Sequence, residues 1–151
     1  MEYQFELLEQ TRHNFSTLIH HFDIEQLNKT PEGFSNNLAW NFGHILVTQQ
    51  LLCYRMSNLE CHISEEMINR YRKGSKPMTS VSKEEIDEID DLLESTYKQI
   101  VLDYNNGLFE QYNDYPTSYN VTLSSIEDAI QFNILHEALH FGYAMALKNS
   151  L

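Results

Sequence analysis

Two histidines near the carboxyl end of the chain have the spacing of paired metal ligands. His136 and His140 lie four residues apart in the segment HEALH, within a stretch of helical periodicity. At 3.6 residues per turn, side chains with this spacing leave the same helix face, about 6 Å apart at their bases. Imidazoles are common ligands of divalent transition metals. The pair therefore suits two adjacent coordination positions on one ion.

The same five residues match the H-E-x-x-H motif of zinc metalloproteases, in which Glu137 would be the general base. Three observations argue against a protease. A metzincin would have glycine at position 143 and histidine at position 146, where this chain has Tyr143 and Ala146. Other zincins take a third ligand from a downstream helix, and eleven residues follow His140. Zincins also bind substrate along the edge strand of a sheet, and no segment here shows sustained strand alternation.

A third ligand should decide whether the pair binds metal, because two histidines on a partly buried helix can also serve packing alone. His44 is the candidate, since it lies within the apolar segment LAWNFGHILV, one turn after Trp40. A buried imidazole without a partner costs roughly 1–3 kcal/mol. We therefore expect His44 to bind either a metal or a neighbouring side chain. The other histidines are interpreted as surface residues or as flanking an apolar stripe: His13, His20, His21 and His62.

Four long amphipathic helices are predicted to position these residues. Their approximate ranges are 2–27, 35–58, 82–104 and 124–148, with Ser35 or Asn36 as the N-cap of the second. The segments SKEE at 82–85 and SSIE at 124–127 read as capping boxes. A connection at 59–82, with a short helix near 64–72, and a tyrosine-rich loop at 105–123 separate the later helices. The prediction is an all-α protein, a four-helix bundle forming one domain over residues 1–151.

The positions of the three histidines along their helix axes favour one arrangement of helix directions in the bundle. His44 lies about 13 Å along the second helix, and the midpoint of His136 and His140 lies about 15 Å from the end of the fourth. The three align best if these two helices are antiparallel. That requires an up-down-down-up bundle with a long crossover between the second and third helices. The 24 residues of 59–82 are enough to span a helix of about 35 Å.

Charge and composition narrow the classes of partner. The 151-residue chain has 22 acidic and 10 basic residues, a formal charge of −12. This charge disfavours nucleic acid and anionic membrane surfaces. No signal peptide and no membrane span are evident, so a cytoplasmic location is expected. Cys53 and Cys61 are expected to be free thiols in that reducing compartment.

Two segments carry a family resemblance. PEGFSNNLAWNFGHILVTQQLL (31–52) and HEALHFGYAMALK (136–148) resemble the DinB-like, or YfiT-like, superfamily of metal-binding four-helix bundles. Trp40 and His44 match its W-x-x-x-H pattern, and His136 and His140 match its H-x-x-x-H pair. The resemblance implies a divalent ion, zinc or nickel, on His44, His136 and His140. It also implies a low-molecular-weight thiol as cosubstrate and a homodimer.

Five neighbouring residues are candidates for the pocket or for orienting the imidazoles. Trp40 is expected beside His44, and Tyr143 either lines the pocket or packs. Asn133 and Glu137 either hold an imidazole N–H or serve the helix surface and inter-helix salt bridges. Arg12 lies on the apolar seam of the first helix, where it reaches either an anionic substrate or a carboxylate on another helix.

Two functional hypotheses remain open at this level. One is a metal-dependent enzyme acting on a small molecule, a thiol transferase or a hydrolase-like protein. The other is a non-catalytic dimeric bundle with a structural or vestigial metal site. An open coordination position beside a solvent-reachable pocket would favour the enzyme.

Overall fold

The computed structural model describes all residues from 1 to 151 and is all-α apart from one minimal hairpin. Its elements in chain order are α1 (Glu2–Ile19), α2 (Ile24–Asn28), α3 (Leu38–Gln49), α4 (Glu65–Tyr71), α5 (Lys83–Asn105), β1 (Tyr115–Pro116), β2 (Thr122–Leu123) and α6 (Ile126–Leu147). No helix combines the length and the apolar character that crossing a membrane would require.

The first predicted helix is two helices. α1 ends at Ile19, and α2 begins after Asp23. Asp23 accepts a hydrogen bond from the backbone N–H of Gln26, whose side chain accepts one from the N–H of Asp23. This reciprocal pair starts a new helix. The prediction of one helix as far as Leu27 was therefore wrong, because a D-x-x-Q capping box interrupts the periodic stretch.

The N-cap of α3 lies one to two residues later than predicted. It is Asn37, whose side chain accepts a hydrogen bond from the N–H of Trp40, so the prediction of Ser35 or Asn36 was wrong. The helix continues through a π-helical turn at Gln50–Tyr54 and a 3₁₀ turn at Arg55–Ser57. Asn58 then ends it in the left-handed conformation, with φ 59°.

The long connection contains the short helix α4, with Ser64 as its N-cap. α4 packs its buried Tyr71 against α3 at Gly43. A Cβ at position 43 would lie 2.5 Å from Cδ1 of Tyr71. Only glycine therefore allows α4 to approach α3 this closely.

The two later long helices begin on serine caps. Ser82 accepts a hydrogen bond from the N–H of Glu85 at the start of α5, as its predicted motif implies. At α6 the cap is Ser125, which accepts from the N–H of Asp128, so the prediction of Ser124 as the cap was one residue early. Asp128 instead accepts a hydrogen bond from the N–H of Ser124.

The tyrosine-rich loop contains a hairpin that the pattern of apolar and polar residues in the sequence does not predict. Tyr115 pairs with Leu123 and Pro116 with Thr122 in antiparallel register. Strands of two residues are too short to produce a periodic signal. The expectation of no strands was therefore wrong here, although the fold remains helical.

The core joins α1, α3, α5 and α6. Phe15 of α1 contacts Phe42 of α3 and Phe141 of α6 edge-to-face, with ring centroids 5.6 and 5.7 Å apart. A second apolar cluster lies toward the start of α6 and includes Phe5, Leu52, Ile100 and Ile130. α3 and α6 therefore share this core, and they also contact each other directly.

Candidate metal centre

Three imidazoles converge between α3 and α6. One ring nitrogen from each of His44, His136 and His140 lies within 4.8 Å of the others. The ring centroids are 5.1 Å apart for His44 and His136, 4.7 Å for His44 and His140, and 4.4 Å for His136 and His140. The three histidines named from the sequence therefore meet in one place.

Two of the imidazoles are oriented by hydrogen bonds from Nδ1. His44 Nδ1 lies 2.6 Å from the carbonyl oxygen of Tyr71, and His140 Nδ1 lies 2.7 Å from Oδ1 of Asn41. A carbonyl oxygen only accepts, so in each ring Nδ1 carries the proton and Nε2 carries the lone pair. Both rings thus offer Nε2 as the ligand atom.

The amide of Asn41 is itself held in the orientation that His140 needs. Its Nδ2 donates to Oδ1 of Asn36 at 2.9 Å and to the carbonyl oxygen of Asn37 at 2.7 Å. With both amide donors engaged, Oδ1 faces His140 as an acceptor. Outer partners of this kind fix the tautomer and the orientation of ligating histidines.

His136 has a ring nitrogen without a partner. Its Nδ1 is buried and makes no hydrogen bond, an arrangement that costs roughly 1–3 kcal/mol when nothing compensates it. The nearest rings are the other two histidines and Phe132, which stacks on it at 6.4 Å. A buried, unsatisfied imidazole beside two oriented ones fits a site for a cation.

Burial keeps all three histidines neutral. It lowers the pKa of His44 from its ordinary value, against a smaller opposing effect of the Tyr71 carbonyl. It also lowers the pKa of His136, and the neighbouring histidines lower it further. For His140, burial and the proximity of His44 lower the pKa to about 4. At neutral pH each ring can therefore donate a lone pair, so the residues fit a divalent ion of the zinc or nickel type.

Of the two aromatic residues that the sequence suggested for the pocket, Trp40 contacts a clustered histidine, whereas Tyr143 packs on an aromatic ring outside the cluster. Trp40 stacks on His44 with ring centroids 4.4 Å apart and an interplanar angle of 14°. Its Nε1 donates to Oγ of Ser75 at 3.0 Å, which fixes the indole against the imidazole. Tyr143 packs edge-to-face on Phe34 at 5.6 Å.

Arg12, Asn133 and Glu137 form a separate buried network. Glu137 accepts hydrogen bonds from Nε and Nη2 of Arg12, the shortest at 2.8 Å, and from Nδ2 of Asn133 at 2.8 Å. The side chains of Asn133 and Glu137 are 0% exposed, and that of Arg12 is 5% exposed. No hydrogen bond joins this network to an imidazole. The glutamate of HEALH therefore connects α6 to α1 and has no access to the histidine cluster as a base.

The other histidines lie outside the cluster. His20 pairs with Asp90 at 2.9 Å, and His62 contacts the ring of Tyr54. His21 binds the carbonyl oxygen of Thr17, one turn earlier in α1. His13 is exposed. None of the four offers a ligand to the three-histidine cluster.

A cavity of about 490 Å³ opens onto the three imidazoles. Its walls come from the end of α3, from α4 and the turn after it, from the hairpin loop and from α6. Sequence reasoning did not predict its basic residues, Arg55, Arg72 and Lys73, nor the roles of Asn41 and Tyr71. The only available signal was the basic run NRYRKGSKP in the connection, whose position in space depends on the packing of α4.

Comparison with known proteins finds a family match. The model of the DinB superfamily matches residues 7–144 of the chain, a range that contains all three clustered histidines. No curated protein matches the chain at a significant level.

Proposed function

This chain belongs to the DinB superfamily, and on that premise we propose that it binds one divalent cation through His44, His136 and His140. The observation that carries the proposal is the convergence of three neutral imidazoles, with ring nitrogens within 4.8 Å of one another. Zinc and nickel are the proposed ions, because both accept imidazole nitrogen readily.

We propose that the bound ion serves a thiol-dependent transfer reaction on a small molecule. A divalent cation supplies Lewis acidity, which lowers the pKa of a thiol or a water that reaches it. The chain's own residues orient the site: Tyr71 and Asn41 accept the Nδ1–H groups of His44 and His140, and Trp40 stacks on the ring of His44. The cavity of about 490 Å³ beside the imidazoles is within the size range of small-molecule binding sites.

The cavity favours a catalytic ion over a structural one. Structural zinc sites are usually closed by four protein ligands, whereas catalytic sites have three and keep a position open. Here three ligand residues face a cavity that reaches solvent. The alternative, a structural ion, would raise the melting temperature strongly without any reaction of thiols.

We further propose the up-down-down-up order of the four long helices. Successive contacts support it: Arg12 and Phe15 of α1 meet Glu137 and Phe141 of α6 in ascending order. Asn41 and His44 of α3 meet His140 and His136 of α6 in descending order. α1 and α6 would then be parallel, with α3 antiparallel to both.

The free thiols Cys53 and Cys61 support a reducing, cytoplasmic location.

Elemental analysis of protein purified without a metal-affinity column tests the metal site. We expect about one zinc or nickel ion per chain in the wild type and almost none in His140→Ala, because two imidazoles bind a divalent ion much more weakly than three. His62→Ala, a change outside the cluster, should keep the full content.

Unchanged metal content in His140→Ala would show that the cluster is not the site. If the ion is present, low-molecular-weight thiols should then be assayed with an electrophile. Thiol consumption that is lost in His140→Ala supports the transferase. A large rise in melting temperature with metal but no thiol consumption supports the structural alternative.

A further inference from the structure

The cavity beside the histidines is lined by three chemically different groups of residues. Its lining includes the buried imidazole of His44 and the apolar residues Leu51, Ile68 and Phe132. Toward solvent it has three basic side chains, Arg55, Arg72 and Lys73. All three are exposed residues. A molecule in this cavity would contact nitrogen ligands, apolar side chains and positive charge.

The positive charge is unusual for this chain. The protein has 22 acidic and only 10 basic residues, yet three of the ten line this cavity and no acidic residue does. A second cavity, between α1 and α5, is mainly acidic: its lining has Glu9, Asp90, Asp91 and Glu94 against the basic residues Arg12 and Lys98. The cavity around Trp40 and Ser75 is also lined by basic residues only, Arg70 and Lys76, so positive charge is concentrated along the connection that contains α4.

Two of the three positive charges have no protein partner. Arg55 forms an ion pair with Glu65. Arg72 and Lys73 take part in none of the ion pairs of the structure. An acidic chain that leaves two adjacent basic residues unpaired beside a cavity has charge available for an anion.

The backbone places these two residues close to the metal centre. They directly follow Tyr71, whose side chain is buried against α3 and whose carbonyl oxygen accepts the hydrogen bond from His44. Gly74 then turns the chain with φ +88°, a conformation that glycine adopts without strain. The segment that orients one ligand thus also carries the two unpaired charges.

We propose that this cavity binds a small organic anion as the substrate or cosubstrate of the metal centre. Its carboxylate or phosphate is held by Arg72 and Lys73, and its apolar body lies against Leu51, Ile68 and Phe132. This orientation directs the opposite end of the molecule toward the imidazoles. The inference rests on the proposed function, since it names the substrate class of the same site. Arginine suits such groups because its guanidinium forms paired hydrogen bonds with carboxylate and phosphate oxygens.

A pair of probes with the same apolar body tests the charge requirement. 4-Phenylbutyrate carries a carboxylate, and 4-phenylbutanamide replaces it with a neutral group of similar shape. We expect zinc-loaded wild-type protein to bind the carboxylate about tenfold more tightly in calorimetric titration, since one charge-assisted contact is worth roughly that factor. In Arg72→Gln/Lys73→Gln the two probes should bind within about twofold of each other, with the affinity for the amide unchanged.

The matched control removes the same charge elsewhere. Lys29→Gln/Lys148→Gln changes two lysines that form no ion pair and do not line this cavity. It should keep the full preference for the carboxylate. Equal loss in this control would mean that only net charge matters, and would overturn the proposal. So would a preference that survives in Arg72→Gln/Lys73→Gln, or no binding of either probe to the wild type.

Zinc content measured on the same samples separates this inference from the proposed function. Wild-type protein without stoichiometric zinc would contradict the metal site, and the probes could still be compared on the metal-free protein. Stoichiometric zinc with no preference for the carboxylate would overturn only the substrate class. Because Arg72 and Lys73 are exposed, their replacement should leave the melting temperature of the protein unchanged.

Discussion

At the scale of single residues, the candidate site depends on the proton positions of its imidazoles. His44 and His140 each give their Nδ1 proton to an oxygen acceptor, and this leaves both Nε2 lone pairs facing the cluster. One acceptor is a main-chain carbonyl, which substitution of Tyr71 would not remove. The other is the side chain of Asn41, so its contribution can be measured directly.

Asn41→Ala should weaken metal binding without removing a ligand. The change leaves the His140 Nδ1–H without its acceptor, and loss of such partners typically costs about 10–100-fold in affinity. Competition titration with a chromogenic chelator gives the dissociation constant. Asn69→Ala is the control, because Asn69 is an exposed residue of α4 and makes no contact with Asn41 or His140; it should keep the wild-type affinity. Wild-type affinity in Asn41→Ala would show that the asparagine does not orient the ligand.

Protonation of the cluster should make the metal-free protein less stable in acid. Burial lowers the pKa of His140 to about 4 in the folded state, whereas an unfolded chain has a histidine pKa of about 6.5. Between these values the unfolded state binds the proton and the folded state does not. The free energy of unfolding therefore falls as pH decreases through this window, by at most about 1.4 kcal/mol per pH unit for each such histidine.

Urea unfolding of metal-free protein at pH 7 and pH 5 measures this dependence. His140→Gln removes one titrating group, so its loss of stability between the two pH values should be smaller than that of the wild type. His13→Gln, an exposed position, should lose as much stability as the wild type. Equal losses in all three proteins would mean that His140 is not held neutral by the fold.

At the scale of helices, a buried ion pair connects α1 to the helix that bears two ligands. Arg12 binds Glu137, the carbonyl oxygen of Leu93 and Oγ1 of Thr96. It therefore links α1 to α5 as well as to α6. Desolvation offsets much of the gain from such a pair, but removing one partner alone typically costs about 3–5 kcal/mol. The network thus specifies how α6 lies against its neighbours.

Gly43→Ala should disturb the contact between α3 and α4. The added methyl group would lie 2.5 Å from Cδ1 of Tyr71, and overpacking of this kind typically costs about 1–3 kcal/mol. Because the carbonyl oxygen of Tyr71 orients His44, metal affinity should fall together with the free energy of unfolding in urea.

Gly142→Ala is the matched control, since a Cβ there has no atom within 4 Å. The control should be neutral or slightly stabilising, because alanine has the higher helix propensity. Equal stability of the two variants would show that α4 does not require the close approach at position 43.

At the scale of the whole molecule, α6 has an outward face without charge on a chain of formal charge −12. Between Ala129 and Leu147 its only charged residue is the buried Glu137. Leu135 and Leu139 are 39% and 53% exposed on the solvent side. Two copies of an acidic chain repel each other, so a contact between them is least costly at this surface. We propose it as the interface of a homodimer.

If the proposed dimer forms through this face, Leu139→Glu should convert it to a monomer in light scattering coupled to size exclusion. The change places a like charge on both sides of a two-fold contact. Leu102→Glu is the control, because Leu102 of α5 is equally exposed, at 53%, and lies outside this face. A monomeric wild type, or dissociation by Leu102→Glu alone, would contradict the assignment.

The helical class and the identity of the three clustered histidines were determined by the sequence alone. Both follow from local periodicity. Residues four apart share a helix face wherever the helix lies in the fold, and the apolar pattern around His44 predicts a helix without any knowledge of distant residues. The W-x-x-x-H and H-x-x-x-H patterns then identified the family that the model of the DinB superfamily confirms. Helix ends were less predictable, because caps at Asp23, Asn37 and Ser125 depend on individual side-chain hydrogen bonds.

Tertiary structure alone decided the surroundings of the site. Glu137 lies between two clustered histidines in sequence, yet it pairs with Arg12, 125 residues away. His140 binds Asn41 across 99 residues, and His44 binds the carbonyl oxygen of Tyr71 across 27. Such partners are chosen by the packing of whole helices, which brings distant segments within the 3 Å range of a hydrogen bond. The basic side of the cavity has the same origin, because it exists only once α4 has packed against α3.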